Sequence, residues 1–94
     1  MTDTRLPVGF TEGGNVCKIN CEVAEGLIPS ERVVRFESYD GGREEVAVSE
    51  RHIEGGALLV SEIGTDGEKV LVELPRESSS GRWRVWVRTN QIGR

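Results

Sequence analysis

Two groups of residues in this 94-residue chain could do chemistry. The first is Cys17, Cys21 and His52, which are all the thiols and imidazoles present. A structural zinc site needs about four such ligands, so three are too few. The cysteines lie in NVCKINCEV, whose strict alternation reads as a strand. In a strand their sulfurs stand roughly 13 Å apart, at about 3.3 Å per residue. That distance rules out both a shared metal and a disulfide. We therefore expect two reduced cysteines that face a core. A nucleophile would need His52 beside a thiol and an orienting acid, and no local pattern supplies them. Glu44-Glu45 reads as a solvated strand end. Gly55-Gly56 fits neither standard phosphate-loop spacing and reads as a turn. The expectation is a protein that is not an enzyme, with no metal and no cofactor.

The second group lies in GRWRVWVRTN, residues 81–90. Alternation puts Trp83, Val85 and Val87 on one face and Arg82, Arg84, Trp86 and Arg88 on the other. The first face reads as core. The second pairs the residue types enriched at interface hot spots. It could also stack on a base and neutralise phosphates. Net charge is −4 overall but unevenly spread. Residues 1–75 hold seven bases against fifteen acids, whereas residues 76–94 hold five arginines and one acid. Affinity for a polyanion comes from cationic surface, so an acidic body disfavours nucleic acid.

These residues must be positioned by strands. Charged residues are 30% and hydrophobic residues 36%, an ordinary globular balance. No apolar run approaches the roughly 20 residues that span a bilayer. MTDTRLPVGFTEGG lacks a basic start followed by an apolar stretch, so a cytoplasmic protein with no membrane association is expected. Period-2 alternation recurs between glycine-rich turns. Six strands are predicted: NVCKINCEV, VVRFESY, EEVAVS, ALLVSEI, KVLVELP and RWRVWVRT. A three-residue loop, Asp40-Gly41-Gly42, pairs Phe36 with Val46 and Val34 with Val48. An Asp66-Gly67 turn pairs Ile63 with Val70, Ser61 with Val72 and Leu59 with Leu74. A loop at residues 77–80 pairs Leu74 with Trp83, Val72 with Val85 and Val70 with Val87. Behind them Glu73 meets Arg84 and Leu71 meets Trp86. This back face also takes Leu58, Val60 and Glu62.

The order of elements resembles an SH3-like barrel. WVRTNQI resembles the stretch where a strand enters a single 3₁₀ turn before the closing strand. EGLIPSERV is similar to the GxxPxxYV close of peptide-binding SH3 domains, with Arg32 at the tyrosine position. This resemblance implies an interaction module and no particular ligand. RHIEGGALLV, GEKVLVELP and RVWV also resemble PilZ domains, which bind cyclic di-GMP. Of that family's DxSxxG motif only Gly56 matches, with Arg51 and Ile53 at the aspartate and serine positions, and its RxxxR shortens to Arg32-Val-Val-Arg35.

The chain thus reads as all-β: a small antiparallel SH3-like barrel of five to six strands at residues 15–94, behind a flexible segment at 1–14. Its expected function is to bind a protein or peptide, or a second copy of itself. The candidate surface is Trp86, Arg84, Arg88, Arg82, Leu71 and Val60. Nucleic acid, or a cyclic dinucleotide on a PilZ-like fold, is the alternative ligand.

Overall fold

A computed structural model describes residues 15–93. The expectation for residues 1–14 lies outside the described residues. The described chain is built of strands and short 3₁₀ turns. The strands are β1 (Asn15–Asn20), β2 (Glu22–Glu25), β3 (Glu31–Glu37), β4 (Arg43–Ser49), β5 (Ile53–Glu54), β6 (Ala57–Asp66), β7 (Lys69–Glu73), β8 (Arg84–Arg88) and β9 (Ile92–Gly93). One sheet runs β8-β7-β6-β1-β9, with β5 beside β6; the other runs β2-β3-β4. All pairings are antiparallel. The all-β expectation holds, but the sheets do not close into a barrel. Loops bridge them instead, through Tyr39 N–H to the Trp86 carbonyl at 2.7 Å and Ser79 N–H to the Glu45 carbonyl at 2.8 Å.

Both sheets feed one core. Ile19, Val34, Val46, Val48, Leu58, Val60, Val72, Leu74 and Val87 are all buried within it. The strand predicted over residues 15–23 changes sheets at Cys21, with β1 pairing β6 and β2 pairing β3. Cys17 and Ile19 therefore point inward, while Val23 sits at a sheet edge and is exposed.

The β7–β8 register matches the sequence reading, with Val72 opposite Val85, Val70 opposite Val87, Glu73 opposite Arg84 and Leu71 opposite Trp86. Trp83 does not join the core. Its carbonyl accepts from the Leu74 N–H at 2.8 Å, as the expected pairing requires, but Trp83 itself is 44% exposed. The β3–β4 hairpin keeps its apolar face but pairs Val34 with Val46 and Phe36 with Glu44. Its loop spans residues 38–42, because Ser38 N–H bonds the Gly42 carbonyl at 2.7 Å and Gly41 takes φ +93°. The slip is two residues, and an even slip preserves which side chains face inward.

The β6–β7 hairpin slips differently. Gly67, at φ +63°, opens a two-residue Gly67-Glu68 turn, so Asp66 meets Lys69 and Thr65 meets Val70. A bulge between Glu62 and Gly64 then reverses the parity of β6. Leu58 and Val60, expected on the Trp86 face, are fully buried core residues, and Leu59 turns outward.

Candidate interaction surface

The outer face of β7 and β8 carries Lys69, Leu71 and Glu73 beside Arg84, Trp86 and Arg88. Of the residues expected at this site, Trp86, Arg84, Arg88 and Leu71 are brought together. Arg82 stands at the margin, and Val60 is removed to the core. Trp86 is 37% exposed, with half-buried Leu71 opposite it.

Tyr39, Asp40 and Lys69 join, which were not expected. The 38–42 loop crosses to this sheet and sets the Tyr39 ring near Trp86. The Lys69 ammonium stands 5.0 Å from the Trp86 ring centre and 5.6 Å from that of Tyr39. The Arg88 guanidinium lies 5.0 Å from the Tyr39 ring and donates to the Tyr39 carbonyl at 3.3 Å. Such cation–ring contacts are worth about 0.5–1 kcal/mol at exposed sites. Here they hold two aromatic side chains in place and leave Trp86 part-exposed.

A pocket of about 200 Å³ opens between Tyr39, Asp40, Lys69, Arg82 and Trp86. Asp40 accepts from Ser38 Oγ at 2.6 Å and from the Gly42 N–H at 3.1 Å. Those two bonds, helped by the charge of Arg82, hold its carboxyl below the usual aspartate value. Arg82 is itself anchored: its Nη1 lies 3.6 Å from Glu44 Oε2. Glu44 was expected in solvent, but its side chain is buried and its other oxygen accepts from Ser80 Oγ at 2.8 Å. Facing inward from β4 opposite Phe36 of β3, it ties the 77–81 loop to the sheet.

Most described bases elsewhere are matched. Every described lysine and arginine has a carboxylate partner except Arg51, Arg84 and Arg88. Arg84 was expected to pair with Glu73. The two are cross-strand neighbours, yet no ion pair forms between them.

The remaining candidates are dispersed. Cys17 and Cys21 are not joined in a disulfide. Cys21 Sγ lies 3.5 Å from the Gly56 carbonyl, and burial pushes its pKa up, away from a reactive thiolate. His52 occupies the 3₁₀ turn Glu50–His52, where burial and then the charge of Arg51 lower its pKa. Gly55 and Gly56 form a tight turn at φ +60° and +80°. Among the described residues no group of three or more His, Cys, Asp or Glu side chains could hold a metal ion. No described helix is long and apolar enough to cross a membrane.

No family model, curated protein or solved structure matches this chain.

Proposed function

We propose that this chain is a non-catalytic interaction module of SH3-like type that binds a protein or peptide partner through the surface centred on Trp86. One observation carries the reading. Trp86 is part-exposed at the middle of the edge strand β8 while its neighbours Lys69 and Tyr39 already fix its surroundings. An aromatic anchor that is ordered before binding loses little conformational freedom on contact. The 3₁₀ turn Thr89–Gln91 followed by β9 against β1 supports the SH3-like resemblance. Stacking of a nucleic-acid base is the weaker reading, because Lys69 already stands over the Trp86 ring and the chain's net charge is −4.

The test is a selection of phage-displayed peptides on the folded protein, with Trp86→Ala as the counter-target. Enriched peptides that bind the wild type and lose Trp86→Ala support the reading. Peptides that bind both proteins equally overturn it. In parallel, single-stranded oligonucleotide is titrated at low salt in a Trp83→Phe background, since Trp83 is also exposed. Fluorescence quenching that added salt abolishes would assign the surface to nucleic acid instead.

A further inference from the structure

From the charges on this face we infer the class of partner: an extended acidic peptide with carboxylates on both sides of an apolar side chain. The inference rests on the reading of Trp86 as an anchor and deepens it. Arg84, Trp86 and Arg88 project from the same face of β8, so successive members stand roughly 7 Å apart. An extended peptide has the same repeat, and its alternate side chains can meet the three one for one. The flanking pair is cationic and has no carboxylate partner among the described residues, unlike the bases around the β2–β4 sheet.

The two arginines are not equivalent. Arg88 is steered by the Tyr39 ring and carbonyl, which fix its direction while leaving its charge unmatched. Arg84 is exposed and is directed by no described hydrogen bond or ion pair. The backbone offers a partner less. The Trp86 carbonyl, on the outer edge of β8, already accepts from Tyr39 N–H, so strand addition is blocked at the middle of this edge. Recognition must come from side chains, and on β8 the unmatched ones are the cations Arg84 and Arg88 around an aromatic centre. Arginine meets carboxylate through paired, charge-assisted hydrogen bonds, which gives an acidic peptide a specific fit.

The decisive measurement is peptide affinity by fluorescence anisotropy. One synthetic peptide carries glutamate, leucine and glutamate at alternate central positions. Its control carries glutamine in place of both glutamates. The acidic peptide should bind roughly two- to thirtyfold more tightly, the combined effect of two exposed charge pairs. That advantage should shrink between about 50 mM and 300 mM salt, as screening demands. It should also fall in Arg84→Gln, a change that leaves the Tyr39 contacts of Arg88 intact. Equal binding of both peptides, with both lost in Trp86→Ala, overturns the acidic preference and leaves the Trp86 reading standing. Tight binding of single-stranded oligonucleotide with neither peptide bound overturns both. Failure of peptides and oligonucleotide alike overturns the acidic class, and the phage selection then decides the reading by itself.

Discussion

The same cross-strand arrangement of an acid opposite an arginine has opposite outcomes in the two sheets. In the β2–β4 sheet, Arg35 faces Glu45 and bonds it at 2.8 Å, while Arg43 reaches Glu22 and Arg32 reaches Glu50 at 3.3 Å. In β7–β8, Glu73 faces Arg84 in the same way and no bond forms. One Glu73 oxygen is instead buried without a hydrogen-bond partner, across from Ser61 on β6. Register brings charges within reach but does not by itself make the bond. The first sheet matches its own arginines, and the second leaves Arg84 and Arg88 for something else.

The comparison can be broken most forcefully at the shared core. Leu58→Ala removes a fully buried side chain and should cost about 2–5 kcal/mol. Urea unfolding followed by circular dichroism and by tryptophan fluorescence should shift together, since one core serves both sheets. Separate transitions would mean that the two faces belong to independent units and cannot be compared this way.

Next in size is Glu44→Ala, expected to cost about 1–3 kcal/mol because the Arg82 and Ser80 partners lose their acceptor. Loss measured in urea should be accompanied by faster amide exchange in the 38–42 loop, which shares the Arg82 pocket. Unchanged exchange there would separate the Glu44 cluster from the Trp86 surface.

Smaller again is the direct contrast between Arg35→Ala and Arg84→Ala. The former removes an exposed ion pair and should lower stability by about 0.2–1 kcal/mol. The latter should leave the melting temperature unchanged within error. A larger loss at Arg84 would show that it serves the fold, and the distinction between the two sheets would fail.

The smallest effect comes from His52, whose pKa is lowered by burial from 6.5. As pH falls through 6.5 the unfolded chain takes the proton first, so stability is full above this value and declines below it. The decline ends once pH passes the lower folded pKa. His52→Gln should flatten thermal stability across that window, and an unaltered slope would mean that His52 does not titrate as its surroundings require.

How much of this was legible in sequence depended on loops. The β7–β8 pairs were readable because alternation in KVLVELP and RVWV leaves one consistent register. In β3–β4 the valines and Phe36 marked the right face, but Ser38 joined the turn and moved the pairing by two. In β6 the bulge at Ile63 defeated the alternation, and Val60 was assigned to the wrong side. The site followed suit. Trp86, Leu71, Arg84 and Arg88 were readable from one hairpin, and Lys69 could have been, lying two residues from Leu71 on its face. Tyr39 and Asp40 could not, because a loop carries them across from the other sheet.

The pairing of β9 with β1 has a consequence for how the chain acquires its structure. Ile19 meets Ile92, and on its other side meets Leu58. A strand emerging early in synthesis thus waits for partners far along the chain. Such non-local closure slows folding, because the entropy of the intervening loop is spent before any contact repays it. The nascent chain can form the β3–β4 and β7–β8 hairpins locally. The domain as a whole is assembled only after residue 92 has been made, so truncation just before this point should impair folding far more than the two residues of β9 would suggest.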